Sequence, residues 1–91
     1  MAKIIRANGE VETIKPKNGK DFQLEELQKI VGGYIEIIHL DATNRLMVVD
    51  EDGKLKGYPY NEKATEIIHD ETFLDDFIVG NVLVCDKKQI K

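Results

Sequence analysis

The chain has no tryptophan, a single cysteine and no excess of positive charge among its 91 residues. One thiol, Cys85, excludes an internal disulfide framework and a thiolate metal site, and gives no sign of an oxidising compartment. A net charge of −4 provides no basic field to attract a phosphate backbone. Long apolar runs are missing too. The opening Met1-Ala2-Lys3-Ile4-Ile5-Arg6 is interrupted by charge, whereas a secretion signal needs about 7–15 apolar residues and a membrane span about 20. The expectation is a cytoplasmic protein with no membrane and no nucleic-acid partner. At 91 residues it has room for one core, so 1–91 reads as a single domain, too small for a doubly wound nucleotide fold or a barrel enzyme.

What is present is an ordinary globular balance, 42% hydrophobic and 33% charged. Residues 3–7 and 11–15 flank Asn8-Gly9, a pair that favours a two-residue type I′ turn, and so predict a hairpin ending near Pro16. Leu24, Leu27, Ile30 and Val31 recur at helical spacing over residues 24–31, with Glu25, Glu26, Gln28 and Lys29 on the wet side. Asp21 is the expected cap, and Gly32 the left-handed stop. Residues 34–40 and 45–50 read as strands. Tyr34, Glu36, Ile38 and Leu40 alternate with Ile35, Ile37 and His39, and neither face is wholly polar. A sheet with one wet face alternates more cleanly, so both strands are expected to be central and covered on two sides. Residues 54–57 read as a brief extended edge. Asn61 is the cap of a second, shorter helix ending near His69, Gly80 marks a bend, residues 82–85 form the last strand, and 86–91 a polar tail. The predicted fold class is α+β: an antiparallel sheet of about five strands, one main helix packed on a face, and the short second helix or a partner chain on the other.

Chemistry is sparse. His39 and His69 sit on different elements and read as a strand residue and a cation near a helix C-terminus. No histidine or cysteine spacing matches a zinc site, so no metal, cofactor or catalytic residue is assigned and the protein is not expected to be an enzyme. Lys3, Arg6, Lys15, Lys17 and Lys20 are interleaved with Glu10 and Glu12 and form no basic stripe. The acid-rich stretch 66–76, with five carboxylates and no lysine or arginine, reads as a solvated helix end. The one candidate ligand motif is Tyr58-Pro59-Tyr60-Asn61: its rings offer faces for stacking, and the helix beginning there offers free N–H groups. The simpler alternative is that both tyrosines close the core over the second helix.

Residues Leu24 to Glu36, Asp52-Gly53-Lys54-Leu55-Lys56-Gly57, Pro59-Tyr60-Asn61 and Ile78-Val79-Gly80-Asn81-Val82 together resemble domain-of-unknown-function family 3846. The helix–Gly-Gly–strand segment is the most specific part. The resemblance implies a small accessory protein of phage or mobile-element origin in a bacterial cytoplasm, and it implies no catalytic residues. Two functional expectations stand side by side. One is a non-enzymatic binding or interaction protein with an unknown protein partner, forming a homo-oligomer through the second apolar sheet face. The other is a protein that sequesters a small nucleotide-like signal at Tyr58 and Tyr60 and so acts against host defence.

Overall fold

The computed structural model describes residues 2–90. Five strands, β1 (Ala2–Ile5), β2 (Val11–Ile14), β3 (Ile35–Leu40), β4 (Arg45–Asp50) and β5 (Val82–Asp86), form one sheet in the order β2-β1-β5-β4-β3. Every pairing is antiparallel. Helix α1 (Leu24–Val31) follows β2, and helix α2 (Glu62–Glu71) lies between β4 and β5. The architecture is the expected α+β sheet of five strands with two helices.

Alternation along the strands makes two cores. On one face Ala2, Ile4, Leu46, Val48, Leu83 and Cys85 pack with Phe22 and with Leu27 and Val31 of α1. On the other, Ile5, Met47, Val49, Val82 and Val84 pack with Ala64 and Ile68 of α2 and with Ile78. Fully burying an aliphatic side chain of this size contributes about 1.5–3 kcal/mol. The second apolar face is therefore covered by the chain's own α2, which at ten residues ending at Glu71 is longer than the eight-residue α1 rather than the expected shorter helix ending near His69, and its greasiness calls for no foreign cover over that area. Leu24, counted in the helical stripe by its spacing, stays 56% exposed at the first position of α1.

Strand order corrects one expectation. β4 is central and buried from Leu46 to Asp50, but β3 is an edge, buried only at Leu40. The reason is non-local. β5 inserts between β1 and β4, so β4 gains neighbours on both sides and β3 is left outside. Residues 54–57 are also not an extended edge. The stretch 51–57 is a run of turns, closed by Gly53 N–H to Asp50 O at 3.1 Å and Lys56 N–H to Asp52 O at 3.0 Å.

The first hairpin differs in its turn. Arg6 O accepts from Gly9 N–H at 2.9 Å and Glu10 O from Arg6 N–H at 2.8 Å; only Gly9 takes a positive φ, of 95°. This is a three-residue loop with a left-handed glycine, not the two-residue type I′ turn. Asn8 remains right-handed because its side chain is used: Oδ1 accepts Glu10 N–H at 2.9 Å. The longer loop shifts the register by one, pairing Ala2 with Ile14 rather than with Lys15. A one-residue slip exchanges the two faces. Here it delivers Ile14 to the α1 core, where the shorter turn would have sent it to the opposite face.

Capping also departs from the expectation. Asp21 does not cap α1; its Oδ1 accepts from the Asn18 and Gln23 side-chain amides at 3.0 and 2.9 Å. Gln23 is the N-cap residue, and Glu26 reaches back to its N–H at 2.8 Å while its other oxygen takes Lys17 N–H at 2.8 Å. Those backbone donors, Gln23 first, hold the Glu26 carboxyl below its ordinary pKa. Gly32 ends the helix at φ 98°, as the sequence indicates. Of the expected polar tail, residues 86–90 are docked and Lys91 lies outside the described residues: β5 runs to Asp86, Lys87–Gln89 makes a short helical turn, and Ile90 packs on the α1 core beside Phe22.

Candidate functional site

Tyr58, Pro59, Tyr60 and Asn61 form the link from the 51–57 turns into α2, and the structure gives them different surroundings. Asn61 is 1% exposed. Its Oδ1 accepts Ala64 N–H at 3.0 Å, capping α2, and its Nδ2 donates to Ile5 O at 3.0 Å and to Gly80 O at 2.8 Å. Every polar atom of the side chain is thus engaged within the fold. The next turn repeats the device: Thr65 Oγ1 donates to Asn61 O at 2.8 Å and accepts Ile78 N–H at 2.9 Å.

Tyr58 lies in a bed of glycines. A Cβ on Gly32 would stand 2.6 Å from its hydroxyl, one on Gly80 2.6 Å from Cδ2, and one on Gly53 3.4 Å from the same carbon. At Gly32 and Gly80 only a residue without a side chain admits the ring; at Gly53 a Cβ would merely touch it, and would crowd Val79 Cγ2 at 3.1 Å instead. Beside it is Asp50, whose side chain is 1% exposed. Lys56 Nζ reaches Asp50 Oδ2 at 2.7 Å and also donates to Gly32 O at 3.1 Å, while Asp52 N–H donates to Asp50 Oδ1 at 2.8 Å. Burial by itself would raise the Asp50 pKa. The Lys56 ammonium, the Asp52 amide and the Tyr58 hydroxyl together overcome that and hold the carboxyl below its ordinary value. The same pairing raises the Lys56 pKa. This cluster latches the end of α1 to the turns after β4.

Tyr58 and Pro59 also line an open cleft of about 490 Å³ with Arg6, Asn8, Lys29 and Asn81. Arg6 is paired with Glu12 at 2.8 Å, and Asn81 Oδ1 accepts Ala7 N–H at 3.1 Å. Tyr60 is not part of this cleft. Its ring is exposed and faces Phe77, with centroids 6.4 Å apart. The two tyrosines therefore belong to two different surfaces.

That second surface runs along the β3 side of the molecule. Ile38 and Val49 of the sheet and Leu74, Phe77 and Ile78 of the returning chain line a groove of about 240 Å³. Lys54 Nζ stands 4.2 Å above the Phe77 ring and 2.5 Å from Asp76 Oδ1. The Lys54 ammonium, with the Phe77 amide, lowers the Asp76 pKa. Phe77 is nevertheless 47% exposed, and Leu74, Phe73 and Tyr60 are exposed beside it in sequence or space. The sequence shows Phe73, Leu74, Phe77, Ile78 and Val79 as a return of apolar content, but not that Phe73, Leu74 and Phe77 stay exposed. Two of the acids in 66–76 are paired at home, Glu71 with Arg45 at 2.8 Å and Asp76 with Lys54.

The remaining candidates fall where the sequence put them. His39 is an exposed strand residue; His69 sits in the last turn of α2, its Nε2 2.7 Å from Asp76 O. Cys85 is buried in the α1 core, and burial pushes its thiol up to about 11. Among the described residues there is no group of three or more histidine, cysteine or acidic side chains placed to hold a metal ion. No helix among them is long and apolar enough to cross a membrane.

The fold and these two surfaces define a small antiparallel α+β protein with a helix on each sheet face and exposed aromatics beside one edge strand. Residues 3–90 match the family model described as Domain of unknown function (DUF3846), and the chain belongs to that family. No curated protein and no solved structure matches it.

Proposed function

We propose that this protein is a non-enzymatic binding protein that works by docking its β3 side against a protein partner. The observation that carries the reading is the grouping of exposed apolar side chains there: Tyr60, Leu74 and Phe77 around the groove, with half-buried Ile38 of β3 in its lining. Apolar groups gathered at one place mark interaction surfaces more often than singly scattered ones do. The buried polar groups support the same reading, because Asp50, Asn61 and Thr65 all spend their hydrogen bonds on the fold. The setting we infer is a bacterial cytoplasm, in keeping with the single buried thiol, and the source a phage or mobile element, from the family resemblance. The test is affinity recovery from bacterial lysate with wild type and with Leu74→Ser/Phe77→Ser, both positions being half-exposed and so expendable to folding. A partner recovered by wild type and lost by the variant supports the proposal; a partner recovered equally by both overturns it.

A second reading is favoured by the cleft at Tyr58, where Arg6 and Lys29 bring positive charge beside an aromatic edge. It is binding of a small planar anion, nucleotide-like in chemistry. A ligand of the folded state raises the melting temperature. A nucleotide panel that shifts wild type but not Arg6→Ala/Lys29→Ala supports this reading, and no shift with any member removes it.

A further inference from the structure

The free edge of β3 carries more information than its exposure. Glu51 N–H donates to Tyr34 O at 2.9 Å, and the register pairs Ile35 with Asp50 through Leu40 with Arg45. In an antiparallel pair, hydrogen-bonded and non-hydrogen-bonded partners alternate. Tyr34 points its carbonyl at β4, so Glu36, Ile38 and Leu40 do the same. Ile35, Ile37 and His39 then direct both N–H and C=O outward, away from the sheet.

The other edge of the sheet is blunted. β2 has four residues, Glu12 and Thr13 are exposed on it, and Pro16 follows at once. Short length, charge and proline are the usual protections of an edge strand. β3 has six residues, three of them isoleucine, and no proline or bulge.

We infer that a second copy of this chain pairs with the β3 edge about a two-fold axis through Ile37, joining two sheets into one. Opposed residues in a sheet share a face, so a two-fold axis must pass through a residue pair rather than between pairs. An axis at Ile37 sets Ile37 against Ile37 of the partner copy, with Ile35 opposite His39, Glu36 opposite Ile38, and Tyr34 opposite Leu40. The whole stretch 34–40 is paired with no overhang, and about six main-chain hydrogen bonds form from the outward groups at 35, 37 and 39. No like charges stand directly opposite. An axis at Glu36 would oppose two glutamates and shorten the overlap. The pairing is isologous and consumes both β3 edges, so it closes as a dimer. Both α1 helices then lie on one face of the joined sheet and both α2 helices on the other. The groove residues Leu74 and Phe77 sit beside the join, next to Glu36 and Ile38.

This inference rests on the reading of the β3 side as the interaction surface, and it names the partner. The test uses the whole chain. Sedimentation equilibrium from low to high micromolar concentration is expected to show a monomer–dimer equilibrium. Ile37→Lys, at a position 36% exposed, is expected to weaken the dimer at least roughly tenfold by opposing two ammonium groups, with circular dichroism unchanged. Ile37→Cys places two thiols on Cα atoms about 5.5 Å apart in a hydrogen-bonded pair, within disulfide range, and is expected to cross-link under mild oxidation. Val11→Cys on the opposite edge is expected not to cross-link. Native Cys85 is buried and its thiol protonated, so it does not contribute. A wild type that stays monomeric at every concentration overturns self-pairing. So does a dimer that survives Ile37→Lys or cross-links through Val11→Cys. If Ile37→Lys unfolds, the cross-linking pair decides. A monomer whose partner recovery still depends on Leu74 and Phe77 refutes the inference while sparing the reading beneath it, and points to a foreign strand on this edge.

Discussion

Asn61→Ala is the substitution that most directly separates a ligand residue from a structural one. The wild-type amide makes three hydrogen bonds in a site 1% exposed. Removing the cap acceptor for Ala64 N–H costs about 1 kcal/mol. The carbonyls of Ile5 and Gly80 lose a buried donor each, at about 1–2 kcal/mol apiece. The sum, about 3–5 kcal/mol, is a large share of the ~5–15 kcal/mol that stabilises a typical domain. For a chain of this size it corresponds to a fall in melting temperature of about 15–30 °C. Asn61→Asp sharpens the test. It keeps the acceptor for the helix but turns a carboxylate toward two carbonyl oxygens, which raises its pKa in the folded state. Its stability is therefore expected to be low at pH 7 and to recover as pH falls and the acid becomes a donor. Thermal melts by circular dichroism at pH 5 and pH 7 read both effects. If Asn61→Ala melts within about 3 °C of wild type, the bonds it makes are not what joins the start of α2 to β1 and Gly80, and the reasoning fails.

Gly80→Ala is expected to be more destabilising than Gly57→Ala. Both glycines have positive φ, of 76° and 73°, but a Cβ at Gly80 meets the Tyr58 ring whereas one at Gly57 meets open space. The left-handed conformation alone accounts for about 1–2 kcal/mol at each, and in a Tyr58→Ala background the excess at Gly80 is expected to vanish; equal losses at the two glycines would contradict the packing. Lys56→Met removes the counter-ion of Asp50. Because the folded Asp50 pKa is lowered, its share of stability is present above its unfolded value of about 3.9 and is lost as pH falls through the folded one. The stability gap between wild type and Lys56→Met, from urea melts, is therefore expected to be wide at pH 7 and to narrow below about pH 4; a gap that does not change with pH refutes the linkage. Leu27→Asp puts a carboxylate at a 2% exposed core position and is expected to abolish the folded far-ultraviolet spectrum at pH 7; a cooperative melt like that of wild type would dismiss α1 as a core helix.

The parts of the structure legible in the sequence are those set by neighbours along the chain. Helix α1 was readable because Leu27 and Val31 fall on one side and Gly32 ends it, and the cap at Asn61 because asparagine before a helix has an evident job. Five antiparallel strands with a helix on a face followed from the same local signals. Strand order was not readable. Nothing within residues 35–50 records that β5 will arrive from residue 82 and lie against β4, so β3 looked as central as its partner. The hairpin turn was ambiguous for a related reason. Asn8-Gly9 serves either loop length, and the choice is made by Ile14, which has to face α1. At the candidate site, Gly32 announced a helix stop and Gly80 a bend, but only the fold shows that both leave space around one tyrosine. Tyr58 and Tyr60, adjacent but for a proline, looked like one stacking platform and serve two surfaces.

The position of β5 has a consequence for synthesis. The hairpins β1–β2 and β3–β4 are each made of neighbouring segments, yet they touch through β5, which is translated last of the five. Until residue 86 is free of the ribosome, the inner borders of β1 and β4 have no strand to pair with. The final strand acts as a keystone, so a chain truncated before Val82 leaves both inner borders open and is expected to be cut by protease faster than the whole chain.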